Sequence, residues 1–131
     1  KDKLFPPTDR ALCALIDDLD SNGLLDETLI VMAGEFGRTP KINTRTAEGG
    51  RDHYPRCMFM LLAGGGIQGG QVIGKSDAKA TAPADAGISP DDVAATFYQA
   101  MGIDHTKEYE SGTGRPITIV RNGTPLKQAF A

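Results

Sequence analysis

Two nearly unbroken apolar runs constrain the fold of this chain more than any other feature. "ETLIVMAG" occupies residues 27–34 and "CMFMLLAG" occupies residues 57–64. Neither run alternates apolar with polar residues, which is the pattern of a central strand covered on both faces. Two such strands flanked by helices predict an α/β layer architecture, in which parallel strands need helices on both sides. We therefore expect both runs to lie in one sheet.

Two amphipathic segments predict the helices that would cover this sheet. Residues 8–22 carry apolar side chains at helical spacing, with Thr8 as the N-cap and Gly23 as the stop. Residues 89–102, "SPDDVAATFYQAMG", begin with a serine cap followed by proline and end on glycine. We expect both helices to pack on the strands. A further short strand is predicted at 117–120.

Length and charge limit the class of protein and its partners. The chain has 131 residues, of which 40% are hydrophobic, which suits one small domain with an ordinary core. Its formal charge is −3 and no basic block offsets it, so neither a nucleic acid nor a membrane is an expected partner. Two isolated cysteines, Cys13 and Cys57, are predicted to be small buried hydrophobes. Because the sequence starts without Met on a polar stretch, we expect it to be the tail of a longer protein.

The glycines that follow the second apolar run resemble a nucleotide-binding motif. "GGGIQG", from residue 64, has the G-x-G-x-x-G spacing after a strand. A dinucleotide site also needs a helix that opens there, so that its N-terminal amides meet the pyrophosphate. The residues that follow do not open a helix. A glycine turn is therefore the favoured interpretation.

The loop between the two runs holds the candidate functional residues. Glu35 follows the first predicted strand immediately, at the position where ligand sites gather in open α/β sheets. Together with Asp52 and His53 it supplies oxygen and nitrogen donors that suit a divalent cation, while Arg38 could hold an anionic group. These residue types suit metal-assisted attack on a phosphate or sulfate ester, because the metal and the arginine both counter developing negative charge.

A purely structural interpretation explains the same residues. Glu35 could pair with Arg38, Phe36 could fill the core, and Asp52 and His53 could brace the loop by hydrogen bonds. Spacing alone leaves the two interpretations open.

The order of motifs along the chain carries a resemblance to a known superfamily. A helix is followed by a strand ending "AGEFGRTP", a loop with "GRDHYP", a strand ending "AGGGIQGG", and then "ISPDDVAATFYQAMGID" and "GTGRPI". This order resembles the C-terminal part of the sulfatase and alkaline phosphatase superfamily, and most closely a sulfatase-like bacterial family of unknown function. The resemblance covers nearly the whole chain. It implies that residues 1–131 are the C-terminal portion of a single domain with a three-layer α/β/α alkaline-phosphatase-like fold, in an exported or periplasmic protein.

The resemblance also implies roles for the loop residues. In sulfatases the first of these strands ends in Ser-Asp-His-Gly, in which the Asp and the residue after it bind metal; here Gly-Glu-Phe-Gly stands in that place. Glu35 can replace Asp as an oxygen ligand, but Phe36 has no donor, so one metal position is lost or rebuilt. His53 resembles the later histidine that ligates metal or contacts the ester in these enzymes. Asp52 beside it would restore the missing oxygen ligand.

The function implied is that of a hydrolase of phosphate or sulfate esters that uses a divalent metal ion, zinc, calcium or magnesium. Glu35, Asp52 and His53 are the metal candidates, and Arg38 and His53 the catalytic ones. The substrate would be a small anionic ester or a sulfated or phosphorylated carbohydrate. The superfamily's nucleophile lies N-terminal to this region, so we expect the chain alone to be inactive.

Two further expectations accompany this interpretation. The chain should expose apolar surface and associate with itself or with missing N-terminal chain. The competing class of function is a non-catalytic member of the superfamily that binds anionic carbohydrate or a protein partner, and Phe36 favours it. A structural or assembly role is the third possibility.

Overall fold

The computed structural model describes residues 3–85 and 87–130. Within them lie two α-helices, α1 (Phe5–Ser21) and α2 (Pro90–Ala100), and 3₁₀ turns at Leu25–Glu27 and Lys127–Ala129. Six short strands complete the described elements: β1 (Ile30–Ala33), β2 (Gly37–Arg38), β3 (His53–Tyr54), β4 (Met60–Ala63), β5 (Glu108–Glu110) and β6 (Pro116–Thr118). The protein is therefore of mixed α/β type, as the sequence predicted.

The strands pair as three separate two-stranded antiparallel sheets, β1 with β4, β2 with β3, and β5 with β6. The two apolar runs lie in one sheet, as expected, with Ile30 opposite Ala63 and Ala33 opposite Met60. They run in opposite directions, however, so the expectation of parallel strands is wrong. A parallel pair needs a crossover connection, usually a helix. The chain between β1 and β4 instead forms the β2–β3 hairpin, which reverses its direction.

The helices differ from the prediction mainly in what they contact. Helix α1 begins at Phe5 rather than at Thr8, because Pro6 and Pro7 fit the first helical turn, where a missing N–H costs nothing. It has no buried residue and packs on the 3₁₀ turn that follows it. Its Cys13 is exposed, so the predicted burial of that thiol is wrong. Helix α1 therefore does not cover the β1–β4 sheet.

Helix α2 has the predicted ends. The Ser89 hydroxyl accepts the Asp92 N–H at 3.1 Å, and the Asp92 carboxylate accepts the Ser89 N–H at 2.8 Å, which completes a capping box. Gly102 follows the helix with φ +70°, a conformation that favours glycine. The helix faces β1 only across an open groove of about 430 Å³, to which Phe97 and Val31 contribute. The predicted packing of α2 on the strands is therefore loose.

The buried core of the described residues lies between α2 and the C-terminal segment. Its members are Ala95, Thr96, Val120 and Ala129. The Thr96 hydroxyl, 1% exposed, donates to the Asp92 carbonyl at 2.7 Å and accepts the Leu126 N–H at 3.0 Å. These two bonds join the helix to the end of the chain.

Most of the apolar surface remains accessible to solvent. The chain exposes 9960 Å², whereas a compact monomer of 13.9 kDa exposes about 6,700 Å². Phe59 and Val72 are 79% and 93% exposed. Exposed apolar surface is thus present as expected, and association through it stays a prediction. None of the described helices is long and apolar enough to cross a bilayer.

The glycines after β4 form a turn and open no helix, in agreement with the interpretation from sequence. Gly64, Gly65 and Gly66 have φ of +72°, +57° and +78°. A Cβ on Gly64 would overlap the carbonyl oxygens of Thr28 and Leu25, so this turn passes directly against the chain that enters β1. The close approach explains the glycine run without a nucleotide.

Candidate functional site

The candidate residues are brought together by the β2–β3 hairpin. Gly37 lies opposite Tyr54 and Arg38 opposite His53. Beyond the strands, the Thr39 N–H donates to the Asp52 carbonyl at 2.9 Å, which extends the ladder toward the tip. Residues separated by 13 to 17 positions therefore become cross-strand neighbours. The segment that the sequence predicted to be a polar loop thus contains an antiparallel hairpin.

Glycine at position 37 is a steric requirement of this hairpin. A Cβ there would overlap the carbonyl oxygen of Cys57, so the chain after β3 crosses close to the start of β2. On the other strand, the Tyr54 hydroxyl donates to the Thr81 carbonyl at 2.8 Å. The hairpin is thus anchored at its base and on one face.

The opposite face carries three of the four predicted site residues. Successive side chains of a strand point to opposite faces, and directly opposed residues share a face, so Arg38 and His53 lie on the same side. The Glu35 Oε1 atom approaches His53 Nδ1 to 3.5 Å. Both side chains are exposed, at 68% and 54%. Phe36 packs beside them, its ring centre 5.5 Å from that of His53 and tilted by 47°.

The separation of the Glu35 and His53 donors fits a tetrahedral metal ion. Two ligand atoms about 2.1 Å from zinc, at a tetrahedral angle, lie about 3.4 Å apart. The observed distance from Oε1 to Nδ1 is 3.5 Å. Carboxylate oxygen and neutral imidazole nitrogen are both zinc donors. Among residues 3–85 and 87–130, however, no group of three or more His, Cys, Asp and Glu side chains is arranged to hold a metal. These two donors are at most half of a complete ligand set.

Asp52 does not join this pair. It lies one residue before β3, where the Thr39–Asp52 bond continues the ladder, so its side chain lies on the other face. There its Oδ2 lies 2.5 Å from Arg45 Nη2, and its Oδ1 accepts the Asn43 amide N–H at 3.2 Å. The Asp52 N–H also donates to the Thr39 hydroxyl at 3.0 Å. These are the bracing contacts of the structural interpretation. A role for Asp52 as a metal ligand stays a prediction, and it would require the carboxylate to leave Arg45.

The other contacts of the structural interpretation differ from those observed. Arg38 donates to the Arg51 carbonyl at 3.4 Å, and Glu35 faces the histidine rather than this arginine. Phe36 is 46% exposed and lies against His53 instead of filling the core. Arg38 therefore retains a guanidinium that faces solvent beside the Glu35–His53 pair.

Beside the hairpin tip lies an open cleft of about 450 Å³. It is lined by Thr39, Lys41, Ile42, Asn43, Thr44, Arg45 and Asp52. Sequence reasoning missed these residues because hydroxyls, an amide and separate charges in a loop form no motif. Six of the seven lie in the arm that follows β2, and Asp52 joins them from the other arm, which becomes visible only once the pairing is known.

Carboxylates with a lowered pKa organise turns elsewhere in the chain. The pKa of Asp77 is lowered first by the Thr81 hydroxyl and then by backbone N–H groups. The pKa of Asp104 is lowered first by the Thr106 hydroxyl and then by the Thr106 N–H. Hydrogen bonds to the ionised form are the cause in both cases. Each carboxylate accepts donors from its own turn, which is a structural arrangement.

Comparison with known proteins gives a family but no function. No curated protein and no solved structure matches the chain. These comparisons do not link the chain to the sulfatase superfamily, so that resemblance stays a prediction. One family profile matches residues 1–130, so this chain belongs to the family described as "Protein of unknown function (DUF1501)".

Proposed function

We propose that this chain contributes part of the active site of a metal-dependent hydrolase of phosphate or sulfate esters, on an alkaline-phosphatase-like three-layer fold. The observation that carries the proposal is the approach of Glu35 Oε1 to His53 Nδ1, 3.5 Å, at the end of β1. That distance is the one two ligands of a tetrahedral ion adopt. The motif order that resembles the sulfatase superfamily supports the same site and the larger fold.

Glu35, His53 and Arg38 would each have a distinct role in this site. Glu35 and His53 would hold a divalent ion, with zinc favoured by the nitrogen donor. The bound ion would act as a Lewis acid toward an ester oxygen. Arg38, on the same face, would bind the anionic group through its planar fork and would not ligate the metal, because its guanidinium stays protonated.

The rest of the site would come from outside the described residues. A zinc site that performs chemistry usually has three protein ligands and an open position. Within the described residues Glu35 and His53 supply two suitable donors, and the nucleophile of the resembled superfamily lies N-terminal to this region. The proposal therefore places the nucleophile and at least one metal ligand in protein segments outside these 131 residues. The isolated 131 residues should not hydrolyse esters.

The experiment that tests this proposal uses the intact protein that contains the chain. Hydrolysis of para-nitrophenyl phosphate and para-nitrophenyl sulfate is measured with and without added zinc, and bound metal is quantified by mass spectrometry. His53→Ala should lower both metal content and hydrolysis. His105→Ala is the matched control, because His105 lies away from the hairpin, before β5. If neither variant changes activity or metal content while His53→Ala lowers the melting temperature, His53 is a structural brace and the proposal fails.

Asp52→Ala extends the same experiment. Asp52 contacts Arg45 and Asn43 on the other face, so its removal should change metal content less than removal of His53 does. An equal loss of metal in the two variants would return Asp52 to the ligand set.

A non-catalytic binding function is the second candidate, and one contact favours it. Phe36 packs on the His53 ring at 5.5 Å, in the position where the resembled enzymes carry a second metal donor. A member of the family without metal would keep the fold to bind an anionic carbohydrate or a protein partner. Metal content of the intact protein distinguishes the two candidates.

A further inference from the structure

The hairpin differs in charge from the rest of the chain. Residues 37–57, called here the basic hairpin, contain five basic and two acidic residues and carry a formal charge of +3, whereas the whole chain carries −3. The basic residues are Arg38, Lys41, Arg45, Arg51 and Arg56. They are spaced three to six positions apart, so they form no block in the sequence. The remainder of the molecule is correspondingly acidic.

Strand pairing concentrates these charges. The two arms are paired at Gly37 with Tyr54 and at Arg38 with His53, and they meet again at an isolated bridge between Asn43 and Gly50; paired strands lie about 5 Å apart. These contacts hold Arg38, Lys41, Arg45 and Arg51 in one hairpin, and Arg56 follows it just after β3. All five are exposed, and Arg45 is the one that forms an ion pair within the described part of the chain. The other four cations, Arg38, Lys41, Arg51 and Arg56, therefore face solvent without a carboxylate partner among the described residues.

The cleft beside the hairpin tip adds groups that recognise hydroxyls. Thr39, Asn43 and Thr44 line it together with the cations Lys41 and Arg45. Hydroxyl and amide groups donate and accept hydrogen bonds, which matches the hydroxyl groups of a sugar. The cations match sulfate or carboxylate groups on the same sugar chain.

We propose that the basic hairpin binds an acidic oligosaccharide, a sugar chain that bears sulfate or carboxylate groups. The cations supply attraction at several points along the chain, and the cleft supplies hydrogen bonds to one sugar. This inference rests on the second candidate function, binding of an anionic carbohydrate, and assigns that binding to one surface. It does not require Glu35 and His53 to hold a metal, so its failure is distinguishable from failure of the proposed hydrolysis.

Two observations favour a sugar chain over a nucleic acid. Duplex DNA carries one charge per about 1.7 Å, and the acidic remainder of this protein would repel so dense a polyanion. Single-stranded nucleic acid binds through aromatic rings on which bases stack. The basic hairpin contains one Phe, Tyr or Trp ring, that of Tyr54, which is half-buried and whose hydroxyl donates to the Thr81 carbonyl. A sugar chain with fewer charges and many hydroxyls fits better.

The test measures binding of a chondroitin sulfate hexasaccharide to the chain by titration calorimetry at about 0.1 M ionic strength, where the Debye length is about 10 Å. Maltohexaose serves as the neutral sugar, and a single-stranded DNA dodecamer as the other polyanion. The variant is Lys41→Gln, Arg51→Gln and Arg56→Gln together. Its matched control, Arg115→Gln, Arg121→Gln and Lys127→Gln together, removes the same charge from exposed positions elsewhere. Circular dichroism confirms that each variant is folded.

The expected result is specific to the hairpin. Loss of each exposed cation should weaken binding about two- to fivefold, and loss of all three about tenfold or more, while the control variant changes affinity less than about twofold. Binding should disappear near 1 M salt, where the Debye length falls to about 3 Å.

Three outcomes would overturn the proposal. They are no binding of the sulfated hexasaccharide, equal weakening in the hairpin variant and its charge-matched control, and tighter binding of the DNA than of the sugar. The third outcome would assign the hairpin to nucleic acid instead. None of these results depends on ester hydrolysis, so the failure of this proposal is distinguishable from that of the proposed function.

Discussion

Removal of the Asp92 carboxylate should clearly lower the free energy of unfolding, because this group joins α2 to the C-terminal segment beside the small core. Its Oδ2 accepts the Ser89 N–H at 2.8 Å and the Ser89 hydroxyl at 2.7 Å, and its Oδ1 accepts the Thr124 N–H at 2.8 Å. One side chain thus closes the first turn of α2 and joins it to the C-terminal segment. Asp92→Ala removes all three bonds and leaves the serine cap in place.

The size of the effect follows from these bonds and their exposure. Each hydrogen bond should contribute about 0.5 kcal/mol to the free energy of unfolding, because water can reach the donors after the substitution. Loss of a capping interaction costs about 0.5–2 kcal/mol of the same free energy. We therefore expect Asp92→Ala to lower the free energy of unfolding by about 1–2 kcal/mol at neutral pH. For a chain of this size the melting temperature falls by about 4 °C for each kcal/mol.

The effect should depend on pH in a defined direction. Hydrogen bonds from the Thr124 N–H, and then from the Ser89 hydroxyl and N–H, lower the pKa of Asp92 from its ordinary value of 3.8. A carboxyl with a lowered pKa in the folded state stabilises the protein above the unfolded pKa, and that stabilisation is lost as pH falls through the folded pKa. The difference between the native chain and Asp92→Ala should therefore be full at pH 7 and shrink below about pH 4.

Thermal unfolding followed by circular dichroism across this pH range measures the difference. Asp91→Ala is the matched control, because Asp91 lies in the same helical turn and is exposed. It removes the same charge near the helix N-terminus without removing the three bonds. Equal destabilisation by the two substitutions, or a loss from Asp92→Ala that does not change with pH, would refute the reasoning.

Further substitutions test the core, a close approach and the hairpin brace. Thr96→Val leaves the Leu126 N–H without its acceptor and should cost about 1–3 kcal/mol in chemical denaturation, whereas Thr96→Ser, which retains the hydroxyl, should cost less. A Cβ at Gly123 would overlap the Asp91 carbonyl, so Gly123→Ala should lower stability by about 2 kcal/mol or more, and an unchanged midpoint would contradict that contact. Asp52→Ala breaks an exposed ion pair and should shift the unfolding free energy by less than about 1 kcal/mol, and a larger loss would show that the brace supports more than the loop.

The candidate site was predictable in its residues more than in its geometry. Glu35, Arg38 and His53 lie on one face of the hairpin, and their role as a site stays a prediction. Asp52 was grouped with His53 because the two are adjacent in sequence. Side chains alternate along β3 and the paired residue before it, so Asp52 and His53 lie on opposite faces, and a loop over residues 34–55 would have no such alternation. The basic hairpin was missed for a related reason, since its cations come together only through pairing of the two arms.

The amino-acid sequence by itself determined the local elements of this protein. The ends of α2 depend on a serine cap, a proline in the first turn and a glycine after the helix, and each acts within a few residues of its position. The apolar runs became β1 and β4 for an equally local reason, the persistence of apolar side chains.

Only the tertiary structure decided the direction of those strands and the partners of the loop residues. Both depend on where the chain reverses and in which register its arms pair, and these are set by contacts between residues distant in sequence. A reversal at the β2–β3 hairpin made the sheet antiparallel, and its register placed His53 beside Glu35 while Asp52 turned to Arg45. No local pattern contains that information, because a shift of one residue in the pairing would exchange the two faces.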